Sequence, residues 1–404
     1  MDLHPEMAVG DRLKVARRAA GLTQEQLAER ADVNVDTIRK LEQNQRYSMR
    51  VSTANALANA MGIETPALLL GERPEAAQAD PGLRLLREAI APAYDFAPAM
   101  DSQDADAPPD LPALRRAVED AWTQYHAGDF GPLGQILPQL ISEARVAARE
   151  YANGSAADAY AVLTKALQLG AHTVVQNRME DLGLLGLDRA RAAAQHSNDP
   201  LLPAMMLNSI AWIFLRTGRL ADCEGIAVTA ADDIEPSFRT SPPDQVAVYG
   251  GLLLSAATAA ARNNRHDTAR ELVGVAKAAA QRIGEDSTNK WTTVFGPTPV
   301  AMQAVSLETA AGEWGTALSL ARRVPLSSPV PASWKARFLL DVAHAQAETY
   351  RDADAVETLR NARAVAPSWT QRAGLANVIT RELLARRHRP RGVTALADFL
   401  GVAY

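Results

Sequence analysis

The chain has little of what several protein classes depend on. Its 404 residues include a single cysteine, Cys223, so neither an intrachain disulfide nor a cysteine-rich metal site can form. No run of about 18 apolar residues occurs, and the N-terminal sequence MDLHPEMAVG lacks the basic and apolar regions of a secretory signal. These absences predict a soluble, cytoplasmic protein that has no membrane partner.

The sequence motifs of common enzymes are also missing. The chain contains no GxxxxGK[ST], HExxH or GxSxG pattern, and its seven histidines are scattered without metal-ligand spacing. Residues 129–131 repeat a kinase tripeptide, but no glycine-rich loop or catalytic-loop motif accompanies it. Cys223 lies between two acidic residues, a setting that raises the pKa of a thiol. We therefore expect neither an enzyme nor a bound cofactor or metal.

Aromatic residues make up only 5% of the chain, and strand-favouring runs of Val, Ile, Thr and Tyr are absent. With abundant alanine, this composition predicts an all-α fold. The net charge of -5 argues against a protein coated with basic surface for nucleic acid. Residues 7–70, however, carry nine Lys or Arg against seven Asp or Glu, so any DNA contact is expected at this end.

Composition divides the chain into three zones. An apolar-periodic stretch closed by Gly71 predicts a small five-helix domain over residues 7–71. Residues 72–112 are rich in Pro, Asp and Ala and are interpreted as a linker, within which an apolar stripe predicts a short docking helix over residues 82–91. Residues 113–404 form the third zone, a long series of amphipathic helices.

Short turns recur through the third zone. They begin at Ala127, Thr217, Asn263, Ala311 and Tyr350, at spacings of roughly twice 45, then 46, 48 and 39 residues, with one turn in the first interval unplaced. Helix pairs at this spacing cannot bury their apolar faces alone, so they are expected to stack into an α-solenoid with a concave surface. The turns resemble those of tetratricopeptide repeats, although their spacing exceeds the usual length of about 34 residues.

The most specific pattern is GLTQEQLAERADVNVDTIRKLEQNQR in the first zone. Thr23 and Gln26 have the spacing of a capping box at the start of one helix, and Asn34 caps the next. Ile38 and Leu41 on this second helix lie three residues apart and must face the core. Two short helices at a tight turn, with the second polar outward, are the requirement for placing a recognition helix in DNA.

This segment resembles the phage-repressor and xenobiotic-response-element class of helix-turn-helix domains. The matching positions are Leu22, Thr23, Gln24, Leu27, Ala28, Val33, Ile38, Leu41, Glu42, Leu57, Ala58 and Gly62. The resemblance covers roughly 65 of the 404 residues. It implies that Arg17 and Glu42 bridge the first and third helices.

The resemblance also implies which residues contact DNA. The expected set is Gln24, Asn34, Val35, Asp36, Thr37, Arg39, Lys40, Asn44, Arg46 and Arg50. Gln24 is expected on a phosphate, and Arg46 and Arg50 form a candidate phosphate clamp. Arg39 and Lys40 are the expected base readers, with phosphate contact as the alternative. Asp36 has two open roles, as a partner of cytosine or of the helix dipole.

A helical-repeat region behind such a domain resembles the peptide-pheromone receptors of Gram-positive bacteria and, more closely, the repeat regulators of actinomycetes. The resemblance implies a homodimeric transcription regulator that binds a double-stranded DNA operator and responds to a small molecule or peptide in the concave groove. The alternative is a scaffold whose groove holds a partner protein and whose DNA binding is only a tether.

Two segments of the repeat region are candidates for ligand binding. Residues 289–303 (NKWTTVFGPTPVAMQ) predict a turn-rich loop between two long helices. Asn208 and Trp212 lie four residues apart on one predicted helix, where they could clamp a peptide. The expected ligand-binding residues are Asn208, Trp212, Trp291, Phe295, Thr298 and Gln303. The alternative role of the aromatic residues is core packing, and the alternative role of Asn208 is a hydrogen bond to a local carbonyl.

Overall fold

A computed structural model describes residues 9–43, 51–61, 81–93, 109–151, 154–288 and 294–403. The predicted all-α fold is confirmed, because the strands within these residues are a single pair of two residues each. Contacts divide the chain into two compact units, residues 1–80 and residues 81–404. The two units are described separately.

The described part of the first unit contains four helices. They are α1 (Val9–Ala19), α2 (Gln24–Ala31), α3 (Val35–Glu42) and α4 (Val51–Met61). Each helix contributes a fully buried side chain to one shared core, namely Leu13, Leu27, Ile38 and Leu57. The fifth helix expected in residues 62–70 lies outside the described residues.

The second unit begins with α5 (Pro81–Ile90), which lies in the stretch interpreted above as a linker. Leu86 and Ile90 of this helix are fully buried in the core of the second unit. The carbonyl of Ile90 accepts hydrogen bonds from Arg145, at 3.3 Å, and from Arg189. Cationic donors at a helix C terminus satisfy its free carbonyls and oppose its dipole. The apolar stripe of α5 is therefore a packed face of the repeat unit.

Six helix pairs follow. They are α6 (Leu111–Ala127) with α7 (Leu133–Glu150), α8 (Gly154–Gln176) with α9 (Glu180–Ala194), α10 (Leu201–Arg216) with α11 (Leu220–Asp233), α12 (Pro243–Arg262) with α13 (His266–Ile283), α14 (Pro297–Ala310) with α15 (Trp314–Ala321), and α16 (Ala332–Glu348) with α17 (Asp352–Val365). The chain ends with α18 (Pro367–Arg372), α19 (Gly374–Ala385) and α20 (Val393–Leu400). Strands β1 (Ser287–Thr288) and β2 (Val294–Phe295) pair antiparallel between α13 and α14.

The turns inside the six pairs share one backbone geometry. One residue in each has a positive φ, and the N–H of the next residue donates to the carbonyl five residues earlier, which closes the preceding helix. The positive-φ residues are Gly128, Arg178, Gly218, Asn264, Gly312 and Tyr350. The unplaced turn is that of Arg178. Its left-handed residue is an arginine, and no Asp-Ala sequence follows it as one follows Tyr350.

Small side chains bring the helices of the repeat unit together. Four alanines of α12, at positions 256, 257, 259 and 260, are fully buried. Alanine allows helix axes to approach closely, so neighbouring pairs share cores: one cluster of buried side chains runs from α5 to α14, and a second runs from β2 and α14 to Val402. The first helix of each pair (α6, α8, α10, α12, α14 and α16) lines a central cavity and is called an inner helix below.

The first and last pairs of the array meet across this cavity. The Ser333 hydroxyl on α16 donates to the carbonyl of His126 on α6 at 3.4 Å. The guanidinium of Arg372 on α18 lies 5.4 Å from the ring centre of Phe130, which follows α6. These contacts join residues about 200 positions apart in the chain. The cavity is therefore bounded by both ends of the array.

The shared turn geometry predicts opposite effects for two glycine substitutions. Gly218 has a φ of 77° and open space where a Cβ would lie, so Gly218→Ala probes backbone strain alone. We expect it to lower the free energy of unfolding by about 1–2 kcal/mol. Gly225, inside α11, also has open space, and Gly225→Ala should raise that free energy by about 0.5–1 kcal/mol.

Urea unfolding followed by tryptophan fluorescence measures both effects, because all six tryptophans lie in the second unit. Shifts of the same sign for the two variants would contradict the left-handed turn at Gly218.

Candidate DNA-binding surface and effector cavity

Helix α3 is fixed in the first unit by its buried face and its cap. Ile38 and Leu41 are fully buried in the same core as Leu27 of α2. Asn34 Oδ1 accepts the N–H of Asp36 at 2.8 Å, which confirms the predicted cap. The opposite face of α3 is thereby directed to solvent.

Helix α2 has equally defined ends. The N–H of Gln26 donates to Thr23 Oγ1 at 3.1 Å, and the N–H of Thr23 donates to Gln26 Oε1 at 2.9 Å. This reciprocal pair is the predicted capping box. Asp32, with a φ of 51°, ends α2 in the left-handed conformation. The tight turn at Asp32 sets the path from α2 into α3.

A buried carboxylate connects α1, α2 and α3. Arg17 donates from Nε and Nη2 to the two oxygens of Glu42, at 2.7 and 2.9 Å, and from Nη1 to the carbonyl of Leu22 at 2.8 Å. Gln24 Nε2 donates to Glu42 Oε2 at 2.8 Å. Burial alone raises the pKa of Glu42, but the hydrogen bonds from Arg17 and Gln24 outweigh it and hold the pKa below its usual value. The bridge implied by the resemblance is present, and it also engages the amide nitrogen of Gln24.

The exposed face of α3 carries two cations in different states. Arg39 Nη2 lies 2.8 Å from Glu25 Oε1, and its Nη1 lies 3.5 Å from Asp36 Oδ1. The side chain of Arg39 is 45% exposed, so these pairs are weak in water. Lys40 is exposed and forms no ion pair with any residue that the structure describes. Lys40 can therefore pair directly with an anion, whereas Arg39 must first break its contacts with Glu25 and Asp36.

The other expected DNA contacts divide into two groups. Val35 and Thr37 are half-buried at the start of α3, and Asn34 and Asp36 are exposed beside them. Together with Arg39 and Lys40 they form one surface, termed the α3 surface below. Three further expected contacts, Asn44, Arg46 and Arg50, lie outside the described residues.

The inner helices of the second unit enclose a cavity of about 570 Å³. Four of the six tryptophans in the chain line it, although aromatic residues are only 5% of the sequence. These tryptophans are Trp122, Trp212, Trp334 and Trp369. The scarce aromatic residues are thus concentrated around this space, which has the volume typical of a small-molecule site.

A hydrogen-bonded chain crosses the cavity wall from α8 to α10. Lys165 Nζ donates to Gln168 Oε1 at 2.5 Å, and Gln168 Nε2 donates to the Ser209 hydroxyl at 2.8 Å. His172 Nε2 lies 3.0 Å from the same hydroxyl. Lys165 Nζ also lies 4.4 Å from the ring centre of Trp122. Burial lowers the pKa of Lys165 to about 7.

Histidine and tryptophan rings pack tightly beside this chain. The rings of His172 and Trp212 stack with centres 4.8 Å apart, and Arg216 lies 5.2 Å from the ring centre of Trp212. Burial lowers the pKa of His172 to about 3 and the pKa of His126 to about 4. Both histidines are therefore neutral at physiological pH.

Four of the six expected ligand residues line the cavity, namely Asn208, Trp212, Phe295 and Gln303. Asn208 Oδ1 accepts the Ser255 hydroxyl at 2.7 Å, and Gln303 Nε2 donates to Thr258 Oγ1 at 2.7 Å. These bonds connect three successive inner helices, α10, α12 and α14. Thr298 does not reach the cavity wall but is buried nearby, and Trp291 lies outside the described residues.

The expected loop over residues 289–303 is wrong for its C-terminal half, which begins α14. Pro297 occupies the first turn of this helix, where its missing N–H has no intrahelical partner to lose. The N–H of Thr298 donates to Asp286 Oδ1 at 2.8 Å, which satisfies another free donor of that turn. Phe295 precedes the helix and packs on Gly250 of α12, where any Cβ would overlap its ring. The proline-rich sequence thus marks a helix start.

Sequence reasoning missed Lys165, the polar centre of the cavity wall. Its signal was a single cation inside the apolar segment AYAVLTKALQLGA of α8. Such a lysine on a helix with buried faces all round requires a specific partner or a ligand.

The described ranges contain neither a membrane-spanning helix nor a cluster of metal-ligating side chains. No helix there combines the length and apolar character needed to cross a bilayer. No group of three or more His, Cys, Asp or Glu side chains in these ranges is arranged to hold a metal ion.

Comparison with known proteins identifies the first unit. Residues 8–70 match the family described as helix-turn-helix domain. Over 63 residues the chain is 40% identical to the immunity repressor protein of Bacillus phage phi105. This match covers 16% of the chain and 43% of the repressor, so the chain spans less than half the length of this relative. Residues 8–70 are thus similar to helix-turn-helix domains and to part of a phage immunity repressor.

The chain also resembles solved structures at low sequence identity. PlcR of Bacillus thuringiensis, solved with the peptide PapR7 and DNA, is 12% identical, with a TM-score of 0.38 over 89% of this chain and 98% of that one. A Rap protein complexed with Competence and Sporulation Factor is 12% identical, with a TM-score of 0.47 over 79% and 83%. PrgX in the iCF10 complex is 9% identical, with a TM-score of 0.38 over 89% and 97%.

The Glu42 bridge predicts a specific loss of stability. Glu42→Gln keeps the shape of the side chain but leaves Arg17 without its carboxylate, and we expect the opening free energy of α3 to fall by about 2–4 kcal/mol. Hydrogen exchange of the α3 amides in the full-length chain measures this. Glu29→Gln, at an exposed position of α2, is the matched control and should change that energy by less than about 0.5 kcal/mol.

The same bridge gives the domain a defined pH dependence. Because folding lowers the pKa of Glu42, its stabilisation is complete above the unfolded value of about 4.3 and is lost as the pH falls through the lower folded value. Protection of α3 that falls equally with acid in the wild type and in Glu42→Gln would contradict this role.

Proposed function

We propose that this protein is a sequence-specific, DNA-binding transcription regulator that acts as a homodimer. A small molecule or peptide bound in the cavity of the repeat unit controls its binding to an operator. The observation that carries the proposal is the α3 surface, a polar and cationic helix face in a helix-turn-helix domain, held rigidly by the Glu42 bridge.

The residues of the first unit have distinct proposed roles. Arg39 and Lys40 contact bases in the major groove, because cationic donors to guanine are the commonest specific contacts. Val35 and Thr37 contact bases or backbone beside them, and Asp36 supports the N terminus of α3. Gln24 and Asn34, with Asn44, Arg46 and Arg50, hold phosphates. Phosphate contacts set the affinity and its salt dependence, whereas base contacts set the sequence preference.

The cavity of the second unit supports an effector role. Its aromatic walls offer apolar contact area, and the side chains of Asn208 on α10 and Gln303 on α14 line the same space and both bond to α12 between them. A ligand that contacts several inner helices at once changes their relative packing, because a solenoid deforms through its interfaces. In a dimer such a change alters the distance between two DNA-binding domains, and half-site spacing makes operator affinity sensitive to that distance.

The test of DNA recognition uses the double variant Arg39→Ala with Lys40→Ala. We expect it to abolish the preference for the native upstream DNA over a scrambled duplex, while leaving the circular dichroism spectrum unchanged. Loss of a specific base contact costs about 1–3 kcal/mol, so two contacts correspond to at least about thirtyfold weaker specific binding. Fluorescence anisotropy of the full-length chain at several salt concentrations measures the effect.

The matched control removes two cations elsewhere in the same domain, by Arg18→Ala with Arg30→Ala. Both residues are exposed and lie on α1 and α2. This control is expected to weaken both duplexes by similar factors and to keep the sequence preference. Unchanged discrimination by the α3 double variant would refute the assignment of α3 as the reading helix.

A further inference from the structure

The cavity carries an excess of positive charge in a chain that is acidic overall. Four cationic side chains, Lys165, Arg216, Arg262 and Arg337, line it with one carboxylate, Asp341. Arg337 and Asp341 form an ion pair at 3.0 Å, so these two charges offset each other. The other three cations have no carboxylate at salt-bridge distance among the residues that the structure describes. The lining of the cavity therefore has a net positive charge, which favours an anionic ligand.

Lys165 is the most deeply placed of these cations. Its side chain is buried, with 5% of the residue surface exposed, and its neighbours are a neutral amide and the face of an indole ring. A buried ammonium without a carboxylate partner is unfavourable, and an anion in the cavity supplies the missing partner. The low pKa of Lys165, about 7, results from the same burial.

The cavity also has an aromatic side chain that remains partly exposed. Trp122 and Trp212 are already packed by Lys165, His172 and Arg216. Trp334 on α16 lines the same cavity and is 39% exposed. A planar ring in the cavity would cover this indole and remove its apolar surface from water.

We propose that the effector is a small organic anion with an aromatic ring, whose anionic group pairs with Lys165 and whose ring packs on Trp334. This inference rests on the proposed effector role of the cavity and specifies the ligand class. Its volume of about 570 Å³ suits a guest of this size. Carboxylate, sulfonate and phosphate groups all satisfy the requirement for charge.

The test compares cinnamate with cinnamamide, which share ring, length and shape but differ in charge. Isothermal titration calorimetry with the full-length chain is expected to show saturable binding of cinnamate that is at least about tenfold tighter than that of cinnamamide. In Lys165→Met, a change that keeps the length of the side chain, cinnamate is expected to lose at least about tenfold in affinity and cinnamamide less than about twofold. Lys277→Met, at an exposed position on the outer helix α13, is the matched control and should bind like the wild type.

Proton linkage gives a second, independent readout. Titrations in buffers of different ionisation enthalpy should show that cinnamate binding takes up close to one proton at about pH 8 and almost none at about pH 6, because the bound anion favours charged Lys165. The charged and titratable groups that line the cavity with Lys165 are Tyr125 and His126 on α6, His172 on α8, Arg216 on α10, Arg262 on α12, and the Arg337 and Asp341 pair on α16. The histidines stay neutral in this range, and burial raises the pKa of Tyr125 on α6 to about 12.

Burial also raises the pKa of Asp341, so the Lys165→Met titration is needed to assign the proton. Cinnamate binding without proton uptake in that variant supports Lys165 as the acceptor. Equal affinities for cinnamate and cinnamamide, no saturable binding of cinnamate, or proton uptake that persists in Lys165→Met would overturn the inference. The calorimetric test does not involve DNA. A failure of the DNA-binding test therefore leaves the ligand result valid, and a failure of the ligand test leaves the assignment of α3 valid.

Discussion

The alanine-rich faces of the repeat helices are the constraint from which the second unit follows. Alanine gives each pair too little apolar surface to be stable alone, so pairs must stack at close distance, and fully buried alanines at positions 256, 257, 259 and 260 mark this contact. The position of the aromatic residues follows from the same composition. With the pair contacts filled by small side chains, the few large aromatic ones line the cavity, where Trp122, Trp212, Trp334 and Trp369 meet.

In the first unit a polar interaction, the Glu42 bridge, holds the helices in place. A domain of this size has a small core, and α3 is only eight residues long. The carboxylate of Glu42 holds α3 to α1 and α2 through Arg17 and Gln24, so that one buried charge aligns three helices. Such pairs contribute less to net stability than to a defined arrangement of helices, which the proposed DNA-reading role of α3 requires.

Local chemistry determined which features were predictable from the sequence. The capping box at Thr23, the cap at Asn34 and the core positions of α3 involve neighbours in the chain, and each appeared where expected. The turn at Arg178 was missed because, unlike the turn at Tyr350, it combines an atypical left-handed residue with no following Asp-Ala sequence. The start of α14 was misread because proline occurs both in loops and in first helical turns. The position of Lys165 in the cavity wall was not predictable, because it depends on inner helices that are distant in the sequence and that no local pattern brings together.

The central claim is that α3 reads a DNA sequence, and selection from a random duplex library by the full-length chain tests it most directly. The account predicts enrichment of one motif in two inverted half-sites whose centres lie about one helical turn, or a multiple of it, apart. Recovery of an unenriched pool, bound with an affinity that depends on salt but not on sequence, would contradict it.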